Sequence, residues 1–172
     1  GQPYVVYSGD DAQTEYIYKF VSRAVHAPGY FYRDALEFGT LHVGKFNSDG
    51  TGEWLPLDFD DPGFRAKSAA ANVVFADQGD VLINARLAAD VAGATRMDRP
   101  EWGAVDPRDG RVYFTLTNNS ARTAAQVDAP NPRGPNPFGH IIRWREDNDN
   151  AASRTFRWDI LLLAGTETDS AN

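Results

Sequence analysis

The sequence contains no cysteine. Disulfides and thiolate metal ligands within the chain are therefore excluded. No stretch is long and apolar enough to span a membrane; "DILLLAG" is strand-sized. No basic run stands out against a formal net charge of -7, which argues against nucleic acid or anionic lipid as the main partner. The three histidines, His26, His42 and His140, lie far apart and show no metal-binding spacing, so each reads as a surface or packed side chain. G-x-S-x-G, P-loop and dinucleotide-binding patterns are missing, and the hydrolase and nucleotide classes that use them lose weight. No signal peptide is present. Both ends run close to strand-like segments, as though cut from a larger fold.

What is present suits one ordinary domain. With 172 residues and 42% hydrophobic composition, the chain can bury a core. "YVVYSG" and "EYIYKFVSR" are dense in aromatic and β-branched residues and form a hairpin signal. Within the second, alternation puts Glu15, Ile17, Lys19 and Val21 on one face and Tyr16, Tyr18 and Phe20 on the other. "LEFGTLHVGKFN" and "TGEWLPLDF" flank Ser48, Asp49 and Gly50, a strong turn signal. A helical region is expected from about Phe64 to Ala92. Gly79 is its expected break and Gly93 its stop. Strands then return: a hairpin around Pro107 to Gly110, then "FGHIIRWRED" and "TFRWDILLLAG". Between them "VDAPNPRGPNPFG" is a loop of restricted dihedrals. The expected fold is mainly β, a set of antiparallel hairpins from a large β assembly, with a helical insertion near 64–92.

Few segments carry chemistry. "EDNDNAAS" fails the EF-hand pattern, because Ala152 and Trp158 stand where glycine and glutamate are needed; it reads as a solvated turn. "DFDDPG" reads as a turn or helix start. Asn118, Asn119 and Ser120 form a glycosylation sequon, a pattern common by chance. "RMDRPEW" is more specific. Proline biases Arg99 toward an extended shape, and in extended chain Arg99 and Glu101 project to one side. A guanidinium binds phosphate bidentately, and a carboxylate binds hard metal ions. On spacing alone, a salt bridge at the start of a strand is the favoured reading. For Glu15, an exposed ion pair is the default and a metal ligand the minority reading.

Several phrases in one order add a resemblance: "VYSGDD", "EYIYKFVS", "ARLAADVAGATRMDRPEW", "VYFTLTNN", "NPFGHIIRWRE" and "FRWDILLLAG". Together they resemble the PhoX family of bacterial alkaline phosphatases across most of the chain. The resemblance implies a six-bladed β-propeller, of which residues 1–172 would be an internal fragment of a few blades, a single partial domain. It implies extracytoplasmic phosphomonoesterases, periplasmic or extracellular and exported by the twin-arginine route. It also implies calcium and iron at the propeller centre and a small phosphate monoester as substrate.

Matched to the family motifs, Glu101 in "RPEW" and Glu15 in "EYIYKFV" look like metal ligands. Arg99 looks like a phosphate-binding residue. Asp98 and Asn118 are further candidates as metal ligands or their neighbours. The family site also includes a cysteine ligand to iron, which this chain lacks, so the parent is expected to be the enzyme and the fragment to be inactive alone. The rival from another class is a non-catalytic, calcium-stabilised propeller that binds a partner. A lactonase-like metal hydrolase on a similar propeller is a weaker rival.

Overall fold

The computed structural model describes residues 1–26 and 35–165. Its strands are β1 (Pro3–Gly9), β2 (Gln13–Glu15), β3 (Ile17–Val25), β4 (Gly39–Phe46), β5 (Thr51–Pro56), β6 (Met97–Asp98), β7 (Pro100–Val105), β8 (Val112–Leu116), β9 (His140–Glu146) and β10 (Thr155–Leu163). Helices α1 (Pro62–Ala70), α2 (Gln78–Ile83) and α3 (Ala85–Ala92) interrupt them. The mainly β, antiparallel architecture with a helical insertion matches the expectation from sequence.

Eight strands form one sheet in the order β1-β3-β4-β5-β10-β9-β8-β7. Two four-stranded meanders, each of propeller-blade size, are thus joined edge to edge. The seam is short: only Thr155–Arg157 of β10 pair with Thr51–Glu53 of β5. The sheet curls until its outer strands β1 and β7 meet. At that meeting a Cβ on Gly9 would lie 2.2 Å from the Pro100 carbonyl oxygen, so the approach requires glycine. A separate ribbon pairs β2 with β6.

Local signals explain the elements. Asp49 Oδ1 accepts the Thr51 N–H at 3.0 Å and closes the β4–β5 turn. Asp61 caps α1 through the Phe64 N–H at 2.7 Å, with Pro62 next to it, so "DFDDPG" is a helix start. Gly93 ends α3 in a left-handed conformation, as expected. Gly79, in contrast, lies inside α2; the break falls over 71–77, where Asp77 recaps the chain through the Asp80 N–H at 2.8 Å. In "EDNDNAAS", Glu146 is the buried end of β9, contrary to the solvated-turn reading, and only the residues after it form an exposed to half-exposed turn.

Alternation along the strands builds two cores. Tyr16 and Tyr18, with Val43 and Leu57, face the helices and meet Phe64, Phe75, Val81 and Ala88. Ile17 faces the inside of the curl with Phe46, Trp54, Phe114, Ile142, Trp144 and Phe156. Burying each such phenylalanine is worth about 1.5–3 kcal/mol. Lys19 falls on this inner face as well and is 1% exposed. It reaches Glu146 of β9 at 3.1 Å and the Ser153 carbonyl at 2.7 Å. Glu146 also accepts the Tyr7 hydroxyl at 2.7 Å and the Trp54 indole N–H at 3.0 Å.

Candidate functional site

The β2–β6 ribbon sets Gln13 opposite Asp98 and Glu15 opposite Met97. It thereby lays the acidic "SGDD" turn and Glu15 alongside "MDRPEW". Both segments carry a non-glycine residue in left-handed conformation, Thr14 at φ 66° and Arg99 at φ 54°. Such a conformation costs roughly 1–2 kcal/mol and persists only where its surroundings enforce it.

Arg99 therefore corrects the sequence reading, because it is not extended. Asp98 lies buried in the ribbon while β7 begins at Pro100, and the chain turns sharply at Arg99 to join them. The left-handed turn sends the guanidinium toward the acidic turn. Its Nη2 donates to Asp11 Oδ2 at 3.1 Å and lies 3.0 Å from Oδ1. Nη1 approaches Asn118 Oδ1 at 3.4 Å. The side chain remains 30% exposed. Glu101 sits at an irregularity between the registers of Pro100 and Trp102 and is exposed. Thr117 links the two: its hydroxyl donates to Glu101 Oε2 at 2.7 Å, and its N–H to the Arg99 carbonyl at 3.1 Å.

Glu15 also departs from expectation. It is 5% exposed, not a surface partner, and Lys19 is engaged elsewhere with Glu146. One Glu15 oxygen is ion-paired with Arg86 of α3. The other, Oε2, is buried with no hydrogen-bond partner. A desolvated carboxylate oxygen left unpaired costs several kcal/mol, and a cation would relieve that cost. Burial pushes the Tyr18 hydroxyl above its ordinary range, and the Glu15 and Asp10 charges push it further, marking a negative region beside the ribbon.

Asp98 is fully buried and has both oxygens committed. Arg122 Nε donates to Oδ1 at 2.6 Å, and Asn136 Nδ2 to Oδ2 at 2.9 Å. Each oxygen thus already accepts one hydrogen bond inside the protein. The structure thus gathers Arg99, Asn118 and, through Thr117, Glu101. Glu15 lies on the adjoining ribbon with its own partner. Among the described residues no three acidic, histidine or cysteine side chains converge as a metal cage. The carboxylates of Glu15 and Glu101 fit calcium or iron in donor type, but the set needs further ligands.

Sequence reasoning passed over Asp11, Thr117 and Arg86. Asp11 was visible as the second of two consecutive aspartates. Nothing local announces Arg86, which meets Glu15 only because α3 packs over the ribbon.

The family model described as alkaline phosphatase PhoX matches residues 1–172. Among solved structures, Pseudomonas fluorescens PhoX in complex with vanadate, a transition-state analogue, is similar at a TM-score of 0.88 and 46% identity. The similarity covers 99% of this chain and 31% of that one, so the chain spans about a third of that protein's length. No curated protein matches the chain.

Proposed function

The chain belongs to the PhoX alkaline phosphatase family, and from that premise we propose that it supplies the phosphate clamp and two metal-holding carboxylates of a metal-dependent phosphomonoesterase. One observation carries the reading: a partly exposed Arg99 guanidinium, locked in a left-handed turn and tied through Thr117 to the exposed carboxylate of Glu101, with an unsatisfied buried oxygen of Glu15 on the adjoining ribbon.

Arg99 binds the non-bridging oxygens of a phosphate monoester with its planar fork. Asp11 orients that fork from one side, and Asn118 limits its swing from the other. As charge shifts toward the leaving group, the fixed guanidinium stabilises it without reorganising. Glu15 and Glu101 would hold calcium or iron, together with ligands from the rest of the parent chain, and the bound ions would supply Lewis acidity. Arg86, ion-paired with one Glu15 oxygen, holds the carboxylate in position. On the same reading the parent would act outside the cytoplasm, in the periplasm or beyond the cell.

The test is hydrolysis of p-nitrophenyl phosphate by the full-length parent. Activity is expected, with loss on chelation. Arg99→Lys keeps the charge but not the fork, and should lower turnover about 100-fold, as for an oxyanion donor, with the fold intact. A folded, metal-loaded parent that cleaves no phosphomonoester would establish the calcium-stabilised binding module instead.

A further inference from the structure

Behind Arg99 lies a buried polar knot that the phosphate clamp does not itself use. Asn136 is its centre and is 0% exposed. Its backbone exchanges hydrogen bonds with Asn119 at 2.7 and 3.0 Å. Its side-chain Nδ2 donates to Asp98 Oδ2 at 2.9 Å and to His140 Nδ1 at 3.1 Å. Its Oδ1 accepts the Gly139 N–H at 3.1 Å. The arrangement fixes the histidine tautomer: His140 Nε2–H donates to the Pro130 carbonyl at 2.7 Å, which leaves Nδ1 as acceptor. Arg122 closes the knot. It binds Asp98 Oδ1 at 2.6 Å and donates to the Gln126 and Arg96 carbonyls at 2.7 and 3.0 Å.

Two neighbours give the knot its meaning. Asp98 immediately precedes Arg99, and Asn119 immediately follows Asn118, the residue facing the Arg99 fork. Asn136 therefore grips both chain segments one residue away from the side chains that meet at the site. We infer that Asn136, supported by Arg122, is a positioning residue that sets the guanidinium of Arg99 against Asn118. The inference rests on the phosphate-clamp reading above.

The physical reason lies in the left-handed turn. A residue before proline prefers extended backbone. Arg99 is held away from that preference by Thr117, which binds its carbonyl, and by Asp98, anchored through Asn136 and Arg122. Removing the Asn136 amide takes one of the two donors from a fully buried carboxylate. The ribbon then loosens at the residue before the turn, and the fork swings off the phosphate. Satisfied buried networks are rigid because every partner depends on the others.

The experiment is a double-mutant cycle in the full-length parent, reading turnover of p-nitrophenyl phosphate, inhibition by vanadate and bound metal. Asn136→Ala should lower kcat about 10- to 100-fold, the usual penalty for losing a supporting partner, and weaken vanadate inhibition in proportion, with metal content unchanged. In an Arg99→Ala background the same change should have at most about a twofold further effect, because the group it positions is gone. Arg122→Lys keeps a cation beside Asp98 and runs the same cycle if the alanine variant does not fold. Penalties that multiply in the double variants would overturn the inference, since the knot would then be merely structural. So would an Asn136→Ala enzyme with full activity and inhibition. An Arg99→Ala single variant as active and as vanadate-sensitive as the parent would remove the clamp reading itself, and the inference with it.

Discussion

Replacing Glu146 by glutamine separates charge from shape inside the curled sheet. The Lys19 and Glu146 side chains are 1% and 4% exposed and 3.1 Å apart. Burial drives both toward neutrality, the lysine down and the glutamate up, and their mutual attraction opposes it. Glutamine fills the same space and still accepts from Tyr7 and Trp54. The Lys19 ammonium, however, loses its counter-charge and keeps the Ser153 carbonyl and the faces of Trp54 and Tyr7, 5.2 and 5.8 Å away. Stranding one member of a buried pair costs about 3–5 kcal/mol. For a domain of this size that corresponds to a fall of roughly 6–20 °C in Tm. Urea unfolding followed by tryptophan fluorescence reads the loss, since Trp54 and Trp144 both donate to Glu146. Lys19→Met alone should cost a comparable amount. Combined with Glu146→Gln it should recover most of the loss, because no unpaired charge remains. A single-variant loss below about 1 kcal/mol, or strict additivity in the double variant, would refute this account of the pair.

Three further outcomes follow from other sites. His42 is pushed down to about 4 by burial and then by the positive charges of Arg154 and Lys19, so stability is full above the ordinary histidine range and falls as pH drops from about 6.5 toward 4. The loss approaches about 3 kcal/mol, and His42→Gln should remove that part of the pH dependence in unfolding titrations. Gly139 has φ +73°, and a Cβ there would lie 2.2 Å from the Leu116 carbonyl oxygen, so Gly139→Ala should cost more than about 1 kcal/mol in the same assay, whereas an exposed substitution stays within about 0.5. The isolated 172-residue chain should turn over p-nitrophenyl phosphate at background rate even with calcium and iron added, because no metal cage is complete among its described residues; activity equal to that of the full-length parent would contradict the shared-site reading.

The sequence made the strands legible because alternation and turn chemistry are local. Tyr16 and Tyr18 part from Ile17 and Lys19 as period two requires, and Asp49-Gly50 closes its hairpin. Where packing decides, local reading stopped short. Proline at position 100 argued for an extended Arg99, yet the hydrogen bonds around Asp98 and Thr117 impose the opposite conformation. Lys19 shares the face of Ile17 by alternation, but its partner stands 127 residues further on, at Glu146, where no local pattern points. The proline-rich stretch before His140 read as a loop, which it is. Its buried asparagines could not be told from solvated ones, since nothing in "NPRGPNP" says which amide turns inward.

The three-residue seam between β5 and β10 has a kinetic consequence. The strands it joins lie about a hundred residues apart in the chain. Closing so long a loop costs roughly 3 kcal/mol more entropy than closing a four-residue turn. The two meanders consist of near neighbours and can zip independently on microsecond scales. The seam must wait for both, and for the inner-face contacts of Glu146 with Lys19 and Trp54 that bridge it. Assembly therefore ends where the pairing is thinnest. During synthesis the first meander stands with the edge of β5 open until β10 has emerged, and that interval is when the nascent protein is most exposed to pairing with another copy of itself.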